Sequence, residues 1–78
     1  MSNSHPVPEV VATAVAAGES VVKAMREFVG YSLEELAVAC GLAVDEIVRI
    51  EAGDDSDPAR LSRIAHALGL PEDAVLPR

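Results

Sequence analysis

Five glycines divide this 78-residue chain, and each follows a stretch in which aliphatic residues recur at helical spacing. They are Gly18, Gly30, Gly41, Gly53 and Gly69. Glycine is the residue that most often ends a helix, and apolar residues at i, i+3, i+4 and i+7 form one helical face. The pattern therefore predicts an all-α fold, a compact bundle of about five short helices.

The composition agrees with a small helical domain. Half of the residues are hydrophobic, yet only one Phe and one Tyr are present. A chain of this length is near the size at which a single core is only just sufficient. We therefore expect a compact interior built from Leu, Ile, Val, Ala and Met.

The apolar stripe of each predicted helix indicates which residues form the core. The stripes are Val7, Val10, Val11, Ala14 and Val15; then Val22, Met25 and Phe28 or Val29; then Leu33, Leu36, Ala37 and Cys40; then Ile47 and Ile50; and last Leu61, Ile64, Ala65 and Leu68. Residues 1–6, "MSNSHP", carry no periodic signal and are predicted to be a disordered tail. Pro71 can open one last turn through Leu76.

The formal charge of −7 is unevenly distributed, because residues 43–58 hold six acids and one base. Affinity for nucleic acid comes largely from cations that displace counterions from phosphates. The total charge therefore argues against a protein that binds any polyanion.

The sequence lacks the residues and motifs that several classes of function require. Cys40 is alone and cannot form an internal disulfide, the start lacks the features of a secretory signal, and no apolar run reaches the roughly 20 residues that cross a bilayer. His5 and His66 are far apart, and no nucleophile elbow or phosphate-binding glycine loop is present. We expect a cytoplasmic protein that is not an enzyme, with no cofactor, metal, membrane or small-molecule substrate.

A helix, tight turn and helix arrangement is predicted around Ala37, Gly41, Ile47 and Ile50. Two short helices that cross steeply need a small residue at the crossing and a glycine able to take positive φ in the turn. Branched aliphatic residues then anchor the second helix. The other side of that helix is left facing outward.

The segments "GYSLEELAVACGLAVDEIVRIEAG" and "LSRIAHALGL" resemble the Xre-type helix-turn-helix family, the DNA-binding domains of phage repressors. The resemblance covers about Val21 to Leu76. Residues 19–78 are thus predicted to be an Xre-like domain, and residues 7–18 an additional N-terminal helix. The resemblance implies a small transcriptional regulator that binds operator DNA as a homodimer.

In this family the second helix enters the major groove, and the start of the preceding helix lies against the DNA backbone. The resemblance therefore implies that Val44, Asp45 and Arg49 face bases and that Ser32 lies near the backbone. Arginine pairs with guanine O6 and N7, valine can contact a thymine methyl, and aspartate can accept only from a cytosine amine.

The chain also departs from the family pattern at positions that commonly hold DNA. Leu33 stands where glutamine is frequent, and Asp54 and Asp55 stand where lysine or arginine commonly follows the glycine. With these changes Lys23, Arg26 and Arg49 are the cations expected to remain for DNA, and affinity is expected to be weak and salt-sensitive. The aspartates of this loop also have a purely structural explanation, as a solvated turn in which Asp57 is the N-cap of the next helix.

A second function therefore stays open. The helix-turn-helix can be reused to bind a protein, as an antiactivator or an antitoxin-like regulator does, with little or no DNA binding. An apolar patch rimmed by acids would favour such a partner. The residues predicted for that surface are Leu33, Val44, Asp45, Glu46, Asp54 and Asp55.

Overall fold

The computed structural model describes residues 7–75, and these residues contain helices and no strand. The elements are α1 (Glu9–Ala16), α2 (Val21–Val29), α3 (Leu33–Cys40), α4 (Val44–Glu51), α5 (Pro58–Leu68) and a final 3-10 turn (Glu72–Ala74). The prediction of an all-α bundle of five helices is confirmed. The tail predicted for residues 1–6 and the end of the last turn at Leu76 lie outside the described residues.

Side-chain caps fix the start of three helices. The Ser20 hydroxyl accepts from a backbone N–H of the first turn of α2 at 3.3 Å. In α3 the Ser32 hydroxyl accepts from the Glu35 N–H at 3.0 Å, and the Glu35 carboxylate accepts from the Ser32 N–H at 2.7 Å. Asp57 caps α5, as predicted, and Pro58 occupies its first position. Each such cap contributes about 1 kcal/mol to stability.

One aliphatic core joins the five helices, with α1 contributing Val11. Leu36, Ile47 and Ile64 are each 0% exposed and come from α3, α4 and α5. Cys40 is buried among them, and this burial raises the pKa of its thiol. The stripes predicted for α3, α4 and α5 therefore lie in the core, although Leu33 is only half-buried.

The apolar faces predicted for the first two helices are too wide. On α1 only Val11 is buried, whereas Val10 is 61% and Val15 is 37% exposed. On α2, Phe28 and Val29 are exposed. For α1 the reason is geometric, because this helix packs mainly against α2 and only one of its sides is covered.

A nearly buried ion pair connects α2 to α4. The Arg26 guanidinium donates from Nε to Glu51 Oε2 at 2.7 Å and from Nη2 to Glu51 Oε1 at 3.2 Å. A third bond runs from Arg26 Nη1 to the Tyr31 carbonyl at 3.0 Å. The hydrogen bond to Glu51 raises the pKa of Arg26 against the opposing effect of burial. The pair holds the end of α4 in a fixed position against α2.

We predict that Arg26→Ala lowers the free energy of unfolding by about 3–5 kcal/mol, because the Glu51 carboxylate is left without its partner at 10% side-chain exposure. Urea unfolding followed by circular dichroism measures the loss. Arg49→Ala is the control, since its exposed pair contributes about 0.5 kcal/mol or less. Equal losses in the two variants would contradict the importance of the buried pair.

Candidate nucleic-acid interface

The turn between α3 and α4 has the geometry that the sequence predicts. Gly41 ends α3 with φ of 72°, a conformation that is strained for other residues. Arg63 on α5 donates from Nη1 to the Gly41 carbonyl at 3.2 Å, which ties α5 to the turn. With Ile47 and Ile50 buried, α4 is anchored by one face and presents the opposite face to solvent.

The outward face of α4 carries Asp45, Val48 and Arg49. The side chain of Asp45 is 74% exposed and that of Arg49 is 50% exposed. Arg49 Nη1 donates to Asp45 Oδ2 at 3.2 Å, one helical turn apart. Exposed pairs of this kind contribute roughly 0.3–0.5 kcal/mol, so Arg49 can exchange this acceptor for another at small cost.

The other residues predicted to face DNA are placed differently. Val44 is half-buried and packs against the core, as does Leu33, which was predicted only for the alternative protein-binding surface. The Ser32 hydroxyl is exposed but already accepts the backbone bond that caps α3. The structure therefore brings Asp45 and Arg49 together on the surface, with Val44 at the edge of that surface and Ser32 on a neighbouring helix.

Glu46 has two structural partners rather than a free carboxylate. Its Oε1 accepts from the N–H of Ala43, the residue just before α4, at 2.8 Å. Its Oε2 accepts from Arg60 Nε at 3.1 Å, although 14 residues separate the two in sequence. Glu46 thus connects the turn before α4 to α5.

Asp55 is held by the same arginine. Its Oδ2 accepts from Arg60 Nη1 at 3.2 Å, and its Oδ1 accepts from the Asp57 N–H at 3.0 Å. The Asp55 side chain is 16% exposed. We refer to Glu46, Asp55, Asp57 and Arg60 as the Arg60 clasp, because together they join the start of α4, the following loop and the start of α5.

The loop after α4 begins with a Schellman arrangement. The Asp54 N–H donates to the Arg49 carbonyl at 2.8 Å, and the Gly53 N–H donates to the Ile50 carbonyl at 3.1 Å. Gly53 has φ of 85°, which this motif requires. The Asp54 side chain is exposed and makes no hydrogen bond or ion pair within residues 7–75. Asp54 is therefore the acid of this loop that a ligand would meet.

The acidity of residues 43–58 is partly offset by arginines from other segments. Arg26 from α2 pairs with Glu51, and Arg60 from α5 pairs with Glu46 and Asp55. With these two arginines counted, the six acids and one base of the segment carry −3 rather than −5. The sequence places all six acids in one run, but the fold gives most of them internal partners.

The assignment of Arg26 as a cation available to DNA is wrong. Arg26 is 9% exposed and committed to Glu51 and the Tyr31 carbonyl. Among the lysines and arginines that the structure describes, Lys23, Arg49 and Arg63 are exposed. The supply of surface cations is thus small.

Sequence reasoning missed Arg60. The sequence did indicate that Arg60 lies close to the loop before α5, because the N-cap at Asp57 places it in the first turn of that helix. The contact with Glu46 had no local signal, since it depends on how α4 and α5 pack.

Comparison with known families adds one finding. The helix-turn-helix family model matches residues 22–75, which is more than two thirds of the 78-residue chain and leaves α1 outside. No curated protein and no solved structure matches the chain. Within the described part of the chain, no helix is long and apolar enough to span a bilayer, and no three His, Cys, Asp or Glu side chains are grouped to hold a metal ion.

We predict that Arg60→Gln speeds the hydrogen exchange of the Asp57 amide by roughly fivefold or more, which corresponds to about 1 kcal/mol. The reason is that Asp55, which accepts from this amide, loses its guanidinium partner. Arg63→Gln is the matched control on the same helix. The Arg60 clasp is contradicted if exchange at Asp57 is the same in both variants.

Proposed function

Because the chain belongs to the helix-turn-helix family, we propose that it is a small Xre-like transcriptional regulator that binds operator DNA in the cytoplasm. The observation that carries this proposal is the outward face of α4. Arg49 is half exposed there, beside Asp45, in the second helix of the helix-turn-helix. That is the helix that enters the major groove in this family.

Arg49 is the residue proposed to read sequence. Its guanidinium can pair in a bidentate way with guanine O6 and N7, and Asp45 can accept from the N4 amine of a cytosine. The hydrogen bond between the two side chains orients the guanidinium before DNA arrives. Val44 at the edge of this face is proposed to contact a thymine methyl, and Ser32 to lie near a phosphate.

The internal pairing of the acids supports this proposal. Arg60 bonds to Glu46 and Asp55, so their charges are partly offset before any ligand approaches. Asp45 has its own partner in Arg49, which leaves the Asp54 carboxylate as the main repulsive group of the loop. Repulsion of phosphates is therefore smaller than the composition of the segment suggests.

The second candidate function is binding of a protein partner through the same face of the helix-turn-helix. Of the six residues predicted for that surface, Leu33 and Val44 are half-buried against the core, and Glu46 and Asp55 are bonded to Arg60. A protein partner would therefore find less apolar surface on this face, and fewer unpaired carboxylates, than the sequence suggests. Val48, which is 46% exposed, is the apolar group that still favours it.

We also propose that the regulator acts as a homodimer. Each phosphate contact contributes about 0.9 to the slope of affinity against salt, and one copy offers few exposed cations. Two copies on a two-fold symmetric operator double the base contacts as well as the phosphate contacts. Because so few exposed cations are available, we propose a shallow salt slope with strong dependence on sequence, in place of the salt-sensitive binding that the acidic composition suggested.

The test is titration of the protein with the DNA upstream of its own coding sequence, at low and moderate salt, with an unrelated duplex as competitor. Arg49→Ala is expected to weaken specific binding by roughly 5- to 150-fold for each half-site, because about 1–3 kcal/mol of base discrimination is lost. Arg63→Ala, another exposed arginine, is expected to weaken both duplexes equally or not at all. No binding by the unmodified protein at low salt would contradict the proposal.

A second prediction concerns the loop. Asp54→Asn is expected to tighten binding to operator and unrelated DNA alike, by roughly fivefold, because a charge repulsion of about 1 kcal/mol near a phosphate is removed. Asp73→Asn, an exposed acid of the final 3-10 turn, is the control and is expected to change little. Fluorescence anisotropy measures both, and equal effects would show that DNA does not pass the loop.

A further inference from the structure

An open groove of about 280 Å³ lies between α1 and α2. Val11 and Ala24 line its buried part, at 2% and 6% exposure. Val10 and Phe28 also line it and are 61% and 53% exposed. These two large side chains expose apolar surface to water next to a concavity, which is a feature of sites that bind another molecule.

Two carboxylates complete the lining of the groove, those of Glu19 and Glu27. Neither forms an ion pair within residues 7–75, in contrast to the four acids of residues 43–58 that do, which are Asp45, Glu46, Glu51 and Asp55. The whole chain carries −7. Apolar surface beside two acids that have no ion-pair partner is complementary to a ligand that presents apolar side chains flanked by Lys or Arg.

The size and shape of the groove restrict the ligand further. Sites for small molecules are typically enclosed and have volumes of about 300–1,000 Å³, whereas this groove is open and slightly smaller. It suits a few side chains of a macromolecule. Residues 7–75 contain no strand to which a peptide could add as another strand, so a helix lying between α1 and α2 is the fitting mode.

A second copy of the chain is a poor occupant. Docking groove to groove would bring its Glu19 and Glu27 toward the same two residues of the first copy. Like charges that face each other oppose association.

We propose that the α1–α2 groove docks a cationic amphipathic helix of a partner protein. Val10 and Phe28 would contact its apolar side chains, and Glu19 and Glu27 its Lys or Arg side chains. No residue of α4 lines the groove, so this partner need not displace DNA from the outward face of α4. The site is thus an addition to operator binding and does not depend on it.

The test is titration of the ¹⁵N-labelled full chain with a synthetic helical peptide of Leu and Lys, the Leu residues spaced at i, i+3, i+4 and i+7. A Leu and Glu peptide with the same spacing is the charge control. We expect amide shifts confined to α1, α2 and residues 17–20, and binding of the Lys peptide at least tenfold tighter than that of the Glu peptide.

Substitutions in the groove test whether the peptide binds there. Phe28→Ala, and separately Glu19→Gln with Glu27→Gln, are each expected to weaken the Lys peptide by roughly tenfold. The matched controls lie on α3: Val38→Ala, at a valine that is 85% exposed, and Glu34→Gln, at an exposed carboxylate. Both are expected to bind as the unmodified protein does. If Phe28→Ala does not fold, the double glutamine variant decides alone.

Three results would overturn the proposal. The first is amide shifts on α4 and its loop together with loss of binding in Asp45→Asn with Asp54→Asn. The second is unchanged affinity in the double glutamine variant. The third is a dimer of the free protein in sedimentation that Phe28→Ala dissociates and that the peptide cannot enter. Arg49→Ala is expected to bind the peptide normally, so failure of operator binding is distinguishable from failure of this site.

Discussion

The buried pair between Arg26 and Glu51 determines how α4 is presented. A carboxylate at this depth is stable only with a partner, and Arg26 supplies two hydrogen bonds while its third links to the Tyr31 carbonyl. The end of α4 is therefore fixed to α2, and the core residues fix the rest of its inner face. The direction in which Asp45 and Arg49 point follows from that attachment.

The Arg60 clasp applies the same constraint at the start of α4 and in the following loop. One guanidinium bonds to Glu46 and Asp55, and the backbone of α5 begins at the Asp57 cap. The acidic run would be expected to repel phosphates, but most of its carboxylates are bonded to arginines or backbone groups of the same chain. What remains for a partner is a small surface on which Arg49 is the group with the greatest capacity for specific bonding.

The sequence predicted the helices well because their signals are local. The cap at Asp57 and the apolar periodicity in α3, α4 and α5 depend on neighbours within a few residues. The exposed face of α1 was not predictable, since it depends on how many elements pack against that helix. The same limit applies to Arg26 and Arg60, whose partners lie 25 and 14 residues away in sequence.

Selection from a random pool of double-stranded DNA at low salt tests whether Arg49 reads a base, since it requires no knowledge of the operator. We expect enrichment of a two-fold symmetric sequence with a guanine at a fixed position in each half, and loss of that guanine preference in Arg49→Ala. A pool that shows no enrichment, or the same enriched sequence for both proteins, would contradict it.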